Sequence, residues 1–356
     1  MMVVDAPIIS VSPAPPAVPV SADEFVPELV DFRASPVRCA DEVVPFARRI
    51  IPFVAPLGQF PGRPSGAPDP ITLRFRIDET GRPLSITRQA SIERSGRYLD
   101  TSDLEPSLAA SRFDPKRRDA CEITYQPVVT PLGAAGPDLL FSAFDSPLVR
   151  PILPRVYARF APAGSDCALA SLRPRLLAFP DLDRFQGRPE RHGALFSFDV
   201  LADGRTANVR LLRSYEAESA RDVRWAVEQT RYVPNKPARG CVIGFTVGAA
   251  QPQGEQLRPG DASFPVSTCP HLPLPVRRIE PGPFPPAFAR RNVEGYAVVR
   301  YDVATWGAVG NVRVETSEPA ELFGQRAAAA VRALSFPPSA GGKKDCTTRI
   351  LFRLGD

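Results

Sequence analysis

The sequence lacks the residue patterns that mark metal sites and the common catalytic motifs. It has only two histidines among its 356 residues and no C-x-x-C pair, so zinc is a weak alternative for its cysteines. It has neither a glycine-rich phosphate-binding loop nor a G-x-S-x-G nucleophile motif, and its carboxylates show no paired spacing. We therefore expect no catalytic residue, no metal and no cofactor, and we expect that the protein is not an enzyme.

Long apolar stretches are also missing. No run of about 18 apolar residues occurs, so no segment is expected to cross a membrane as a helix. Residues 6–22 are uncharged, rich in proline and not preceded by a basic leader, which predicts an extended tail over residues 1–38 rather than a signal peptide. The net charge of +5 is too diffuse to indicate nucleic acid as a partner.

The sequence does contain a threefold internal repeat. Three signals recur in the same order: a Phe-Pro dipeptide, a glycine between two strand-like segments, and an aromatic-x-Pro that is closely followed by a cysteine. These signals are Phe60-Pro61, Phe179-Pro180 and Phe284-Pro285; Gly81, Gly204 and Gly307; and Phe113, Tyr232 and Phe336. Their spacing indicates a repeat of roughly 80–90 residues.

Each copy has the same predicted elements. Leu73, Phe75 and Ile77 alternate with polar residues, which is typical of a half-buried strand, and a second strand follows the turn glycine. A helix comes next, with a capping box at Ser102 in the first copy, and a last strand closes the unit. The predicted fold is α+β, with three tandem β-β-α-β units that each form an antiparallel three-stranded sheet with a helix on one face.

The signals also set the expected boundaries of the three units. The units are predicted over residues 39–126, 167–247 and 269–356, with proline- and glycine-rich linkers over 127–166 and 248–268. Residues 139–144 in the first linker are apolar enough to dock on a neighbouring unit.

The six cysteines fit this repeat. Each copy has one cysteine before its Phe-Pro and one at the start of its last strand. The predicted disulfides are therefore Cys39–Cys121, Cys167–Cys241 and Cys269–Cys346. Disulfides persist in oxidising compartments, so we expect the protein outside the cytosol.

The third copy resembles a known family. Glu280-Pro281-Gly282-Pro283-Phe284-Pro285 resembles the Q-P-x-x-Y-P signature of the TonB C-terminal domain, with Glu280 in place of Gln and Phe284 in place of Tyr. The segment from Ala289 to Gly295 resembles the family's A-R-R-x-x-E-G step into the first strand, and Phe336-Pro337-Pro338 resembles its F-x-P. The first two copies resemble divergent members.

This resemblance implies a protein of the periplasm or cell envelope. Members bind outer-membrane TonB-dependent receptors by strand addition and take part in energy-coupled transmembrane uptake. A contact with the inner-membrane ExbB/ExbD motor is implied if an N-terminal anchor precedes this sequence. The alternative is a non-catalytic envelope adaptor or scaffold module without motor coupling, because the sequence has three copies and shows no membrane helix.

Strand addition needs an exposed sheet edge, and the last strand, residues 347–354, is the predicted one. The predicted partner-binding residues are Thr347, Arg349, Phe352 and Arg353 on this strand, and Glu280, Pro281, Phe284 and Pro285 in the entry segment. The two arginines either steer an acidic partner or only keep the edge soluble. The entry segment either contacts the partner or forms a rigid start of the fold.

Overall fold

The computed structural model describes residues 27–59, 66–89, 97–168, 171–185, 188, 190–248, 269 and 284–354. Strands make up 43% of the structure and helices 24%, so the fold is mixed α/β. The small helical share agrees with a sequence of 42 prolines, because proline breaks helix interiors.

Residues 27–131 form a large sheet, a pair of short strands and one helix. The sheet contains β1 (Glu28–Ala34), β2 (Val37–Cys39), β3 (Glu42–Val44), β5 (Ala55–Gln59), β6 (Ile71–Ile77), β7 (Pro83–Arg88), β8 (Arg97–Leu99) and β10 (Arg118–Pro131). The short pair is β4 (Phe46–Arg48) with β9 (Arg112–Phe113), and the helix is α1 (Leu104–Ala110). β10 is the central strand of the sheet, because β6 pairs with one of its edges while β1 and β2 pair with the other.

The remaining elements follow in two groups. The middle of the chain has α2 (Pro137–Phe144), α3 (Leu153–Phe160), β11 (Pro174–Leu176), β12 (His192–Val200), β13 (Thr206–Ser214), α4 (Ala217–Gln229), β14 (Arg231–Tyr232) and β15 (Ala238–Val247). The last group has α5 (Pro286–Ala289), β16 (Gly295–Val303), β17 (Val309–Glu318), α6 (Glu321–Arg332) and β18 (Lys343–Phe352). Short 3-10 turns lie at Leu132–Ala134, Pro147–Ile152 and Asp183–Phe185.

One arrangement occurs in three places. A strand pairs antiparallel with the strand after it and, on its other side, with a strand that follows a helix. We call these the first motif (β6, β7, α1, β10), the second motif (β12, β13, α4, β15) and the third motif (β16, β17, α6, β18). The predicted three-stranded sheet describes the second and third motifs, whereas the first lies within an eight-stranded sheet.

The turn glycine and the aromatic residue after the helix touch each other in every motif. The glycine has a positive φ, which a residue with a side chain rarely adopts. Its carbonyl oxygen accepts a hydrogen bond from the backbone N–H of the aromatic residue. The pairs and N···O distances are Phe113 with Gly81, 2.9 Å; Tyr232 with Gly204, 2.8 Å; and Phe336 with Gly307, 2.9 Å. A Cβ on any of these glycines would collide with the carbonyl of its partner.

The three predicted disulfides are confirmed. Cys39 joins Cys121, Cys167 joins Cys241 and Cys269 joins Cys346. In each pair the second cysteine lies near the start of the last strand and is at most 1% exposed, so its sulfur points into the core. Each bridge holds the segment before a motif against that motif's last strand.

The first and third motifs are packed against each other. They share one hydrophobic core, which contains Leu73 and Leu108 of the first motif and Ala297 and Phe323 of the third. The second motif has its own core around Phe198. The expectation of three tandem units joined by linkers therefore does not describe how the motifs pack.

The first predicted linker is a folded helical segment. β10 continues to Pro131, and α2, the 3-10 turn Pro147–Ile152 and α3 bury Leu140, Val149 and Val156 in a separate small core. The predicted docking of residues 139–144 is also seen, since the ring of Phe141 lies 4.6 Å from that of Tyr215 in the second motif. Of the second predicted linker, residues 249–268 lie outside the described part of the chain.

The predicted tail is wrong over its last part. Glu28–Ala34 and Val37–Cys39 are strands of the large sheet, although the sequence assigned residues 1–38 to an extended tail. The backbone N–H and C=O groups of β1 are satisfied by a partner far along the chain, and short-range patterns do not reveal such a partner. Residues 1–26 lie outside the described residues.

Candidate functional site

The candidate site is the outer edge of β18, the last strand of the third motif. In this sheet the order is β17-β16-β18, and β18 pairs with β16 from Tyr301↔Cys346 to Gly295↔Phe352. Among the described residues no strand pairs with its other side. Every second residue of such an antiparallel strand turns its N–H and C=O away from its neighbour, so this side can hydrogen-bond to another strand.

The opposite edge of this sheet is engaged by the first motif. The N–H of Ile86 in β7 donates to the carbonyl of Pro319, at 2.8 Å, just after β17. Glu318 is 2% exposed, and its carboxylate accepts hydrogen bonds from Ser85 N, Ser85 Oγ and Arg76. The docked first motif therefore leaves β18 as the edge of the third sheet that faces away from it.

Arg76 and Ser85 are specific to the first motif. The corresponding residues of the third motif are Asp302 and Asn311, whose side chains bond to each other at 2.7 Å, as Asp199 and Asn208 do in the second. The sequence reasoning missed this difference, although the sequence itself has Arg and Ser in the first motif where the other two have Asp and Asn. Arg76 is the cation and Ser85 provides the hydroxyl that bind Glu318.

The Asp302 carboxylate fixes the start of β18. It accepts a hydrogen bond from Asn311 and another from the backbone N–H of Asp345, at 2.8 Å. The bond from Asn311 is the main cause that lowers the pKa of Asp302. The carboxylate is therefore ionised at neutral pH and ties the end of β16 to β17 and β18.

The side chains of β18 alternate between the two faces of the sheet. Cys346, Ile350 and Phe352 are buried in the core, while Thr347 and Arg349 are half-buried on the other face; the predicted strand over residues 347–354 ends at Phe352, and Arg353 after it is exposed. The ring of Phe352 is 3% exposed and lies 5.3 Å from that of Phe323, so only its main chain could meet a partner.

Arg349 lies within electrostatic reach of the first motif's contact. Burial raises the pKa of Tyr296 and Glu318 raises it further, whereas Arg76 and Arg349 oppose this rise. Tyr296 pairs with Leu351 across the sheet, and its neighbour Val298 pairs with Arg349. The face of β18 that carries Arg349 is thus continuous with the face that ends at Glu318.

The Phe-Pro dipeptide of the entry segment lies against the core. The ring of Phe284 is 6.1 Å from that of Phe323 in an edge-to-face contact, and Pro285 is buried and leads into α5. This placement fits a rigid start of the fold, because the two residues pack inside the protein. Glu280 and Pro281, which were also predicted to bind the partner, lie outside the described residues.

The A-R-R-x-x-E-G segment holds the site together. The guanidinium of Arg291 is fully buried, pairs with Asp103 of the first motif and donates to the carbonyl of Ile51 at 3.1 Å. The carboxylate of Glu294 accepts from the N–H of Leu354, at 2.9 Å, and so extends the bonding of β18 past its last paired residue. Both roles escaped the sequence reasoning.

Asp103 replaces the predicted capping box of α1. The N-cap is Asp103 rather than Ser102, and no side chain caps the helix. The Asp103 carboxylate accepts instead from Phe53 N at 2.8 Å, from Ser107 Oγ at 2.9 Å and from Arg291. The carboxylate oxygens that a local cap would use thus accept hydrogen bonds from Phe53 and Arg291, which are distant in the sequence.

The equivalent edge of the first motif already carries a strand. β10 takes the place of β18 there, since Cys121 pairs with Phe75 as Cys346 pairs with Tyr301, and both aromatic residues stand six positions before the turn glycine. β1 pairs antiparallel with the outer side of β10 from Glu28↔Pro131 to Ala34↔Tyr125. The part of β10 that corresponds to β18 ends at Pro127, so β2 and the last three residues of β1 cover this edge in the first motif.

No group of three or more His, Cys, Asp or Glu residues in the described part of the chain is placed to hold a metal ion. No helix within the described ranges is long and apolar enough to cross a membrane.

A comparison with protein families finds a match that spans the third motif. Residues 281–354 match the family described as Gram-negative bacterial TonB protein C-terminal, whose members are non-enzymatic transport-coupling proteins. The match begins within the entry segment, includes β18 and its outer edge, and leaves out the first two motifs. No curated protein matches the chain.

Proposed function

We propose that the chain is a TonB-like protein of the periplasm that binds outer-membrane receptors by strand addition and takes part in energy-coupled uptake. One observation carries this proposal. The outer side of β10 carries β2 and β1 as added strands, and β18 presents the corresponding edge, as far as Phe352, without a paired strand among the described residues. The family match of residues 281–354 supports the same role.

Strand addition gives affinity through main-chain hydrogen bonds and selectivity through side chains next to the edge. Arg349 lies on the face of β18 that is away from the core, and Arg353 is exposed directly after the strand, so both favour a guest with acidic residues. Phe352 contributes its backbone, because its ring is buried. Thr347 lies near the start of the edge, directly after Cys346 and two positions before Arg349.

We further propose that the three motifs are divergent copies of one domain, bounded by residues 39–126, 167–247 and 269–356. The repeated pairing, the three glycine–aromatic contacts and the three disulfides support this relationship. In the first copy the edge is covered by β1, so its role is structural. The third copy is the one fitted to a partner.

The disulfides support a place in the periplasm, because oxidising compartments preserve such bonds. Coupling to the ExbB/ExbD motor is part of the proposal only if an anchor precedes this sequence. The alternative function is an envelope adaptor or scaffold without motor coupling. The packing of the first motif against the third favours it, because this packing uses Arg291 of the A-R-R-x-x-E-G segment for an internal contact.

The test is a titration of the full, oxidised chain with synthetic peptides from the periplasm-facing N-terminal segments of outer-membrane receptors. Strand addition should shift the backbone amide signals of β18 in NMR spectra and leave those of β13 in the second motif unchanged. A peptide with proline at its centre is the matched control, because proline cannot donate a main-chain hydrogen bond. If no peptide shifts β18, the strand-addition role is wrong and the adaptor remains.

A further inference from the structure

We propose that the tip of the third motif, residues 302–311 and 341–344, binds an acidic segment of another protein chain. Trp306 stacks on the apolar part of this segment, and Lys343 and Lys344 bind its carboxylates. The tip consists of the β16–β17 turn and the residues that lead into β18. Binding there needs no strand addition, so the inference does not depend on the proposed function.

Trp306 is an exposed ring on a fixed backbone. Its side chain is 72% exposed, more than any other large apolar side chain of the described residues. The N–H of Ser339 donates to the carbonyl of Thr305, at 2.7 Å. The N–H of Gly307 donates to the carbonyl of Ala304, at 2.8 Å. A large ring whose backbone is already held loses little conformational freedom when a partner covers it, so it is well suited to binding.

The other two motifs close the same turn with polar contacts. The residue before the turn glycine is Thr80 in the first motif and Asp203 in the second. The hydroxyl of Thr80 donates to Asp78 at 2.7 Å, and the carboxylate of Asp203 accepts from Arg205 Nε at 2.6 Å. Trp306 makes no such hydrogen bond within the described residues. The turn itself therefore does not require this ring, and an exposed apolar group of this size indicates a contact with another molecule.

A groove of about 420 Å³ lies beside Trp306. Lys343 and Lys344 line it, are exposed, and form no ion pair with any residue that the structure describes. Most of the other lining residues are small, and they leave room for the backbone of a bound segment to approach closely. These small residues are Ala304, Ala308, Gly310, Gly341 and Gly342.

The charges of the tip favour an acidic partner. The carboxylate of Asp302 accepts hydrogen bonds from Asn311 and from the backbone N–H of Asp345. Asp345 in turn pairs with Arg300, at 3.4 Å. Both acidic side chains are thus engaged within the third motif, whereas the two lysines keep their charge toward solvent. Such a cationic surface attracts and orients a segment that carries carboxylates.

The shape of the tip favours a protein segment over a membrane. A surface helix that binds a bilayer buries a broad apolar face. Among the residues of the tip, only Trp306 is both large and exposed. The concave groove beside its ring suits an inserted side chain instead.

The docked first motif leaves the tip accessible. It contacts Glu318 at the end of β17, whereas the tip includes Val309 at the start of that strand. A strand of this length, 10 residues, spans about 30 Å. A partner can therefore bind the tip while the first motif stays docked.

The first experiment uses Trp306 as its own reporter. The chain has two tryptophans, so Trp225→Phe leaves Trp306 as the single one. The full, oxidised chain with this change is titrated with the peptide Glu-Pro-Glu-Pro-Glu-Pro-Glu and with a peptide in which Gln replaces every Glu. We expect the emission of Trp306 to shift to shorter wavelength, and the Glu peptide to bind about fivefold more tightly at low ionic strength. This difference should disappear in about 1 M salt, which screens exposed charges.

Charge-matched variants locate the binding. Changing Lys343 and Lys344 to Gln should remove the preference for the Glu peptide. Changing Lys116 and Lys236 to Gln removes the other two lysines of the chain and should keep this preference. Trp306→Asp introduces the residue that the second motif has at this position, and it should weaken binding of the Glu peptide about tenfold in calorimetry.

Three results would overturn the inference: equal affinity for the two peptides, no change in Trp306 emission with either, or a change that only phosphatidylglycerol vesicles produce. The last result would assign the tip to a membrane. Proline at every second position prevents these peptides from adding to β18 as a strand. A failure here is therefore distinct from a failure of the receptor-peptide titration.

Discussion

Arg291 and Asp103 stand 188 residues apart and form a buried ion pair between the third and first motifs. The Arg291 guanidinium also lies 3.7 Å above the ring of Phe53. The pair therefore lies where α1, the segment before β5, and the start of the third motif meet. It fixes the orientation in which β18 faces away from the first motif.

Breaking this pair should weaken the docking of the two motifs. Arg291→Met leaves the Asp103 carboxylate buried without its cation, and we expect the free energy of unfolding to fall by about 3–5 kcal/mol. Urea titrations followed by circular dichroism would measure the change. Arg290→Met removes the exposed neighbouring arginine and should cost less than about 0.5 kcal/mol. Equal effects of the two variants would show that the pair does not hold the motifs together.

The turn of the third motif should tolerate no side chain at Gly307. Its φ is +90°, and a Cβ would lie 1.8 Å from the carbonyl oxygen of Phe336. We expect Gly307→Ala to lower the free energy of unfolding by about 1–3 kcal/mol, measured by urea titration. Gly310, three residues later, has open space at its Cβ position, so Gly310→Ala should change stability by less than about 1 kcal/mol. A larger loss for Gly310→Ala would contradict this account.

The Cys269–Cys346 bridge should stabilise the third motif. It closes a loop with a sequence separation of 77. On the chain-entropy model, replacing both cysteines with serine should cost about 4–5 kcal/mol, seen as a lower urea midpoint in oxidising buffer. Reduction of the wild-type chain should cost more, because it opens all three bridges. Peptide mapping without a reductant checks the pairing, and a fragment that joins cysteines of two different motifs would disprove it.

Asp145 should make the protein more stable at acid pH than at neutral pH. Its carboxylate is 2% exposed, and burial raises its pKa despite Arg191, whose Nε lies 3.6 Å away. A raised folded pKa means that its contribution is fully present below the unfolded pKa and is lost as the pH rises through the folded value. Asp145→Asn should flatten this fall in the free energy of unfolding as the pH rises above the unfolded pKa of about 4.

The control for this pH dependence lies on the same helical segment. The side chain of Asp138 in α2 is 97% exposed, so Asp138→Asn should leave the slope of stability against pH unchanged. Urea titrations of the three proteins at several pH values give the comparison. A slope that stays the same in Asp145→Asn would rule out this carboxylate as its source.

Much of the local structure followed from the sequence because its causes are local. The alternation of Leu73, Phe75 and Ile77 predicted β6, since side chains on a strand point to opposite faces in turn. The turn glycines were found for a similar reason: a positive φ favours glycine wherever the rest of the protein lies.

The site was less accessible to such reasoning. Arg349 lies on the face of β18 that is away from the core, since period two along one strand decides this, whereas Arg353 follows the end of the strand. Phe284 and Pro285 pack against the core. The strand β1 was missed because it follows a proline-rich region and its apolar and polar residues alternate over only a few positions. A strand is recognised by its partner, and the partner of β1 lies about a hundred positions later in the chain.

By itself the sequence determined the three motifs' strands and helices, and through their spacing it also determined which cysteines pair. Only the tertiary structure decided that the first motif docks on the third and that β1 covers β10 while β18 keeps an edge without a strand in the described residues. The reason is physical. Strand periodicity and turn geometry act over a few residues, whereas the contacts of Arg291 with Asp103 and of Glu318 with Ser85 depend on surfaces that exist only after each motif has folded.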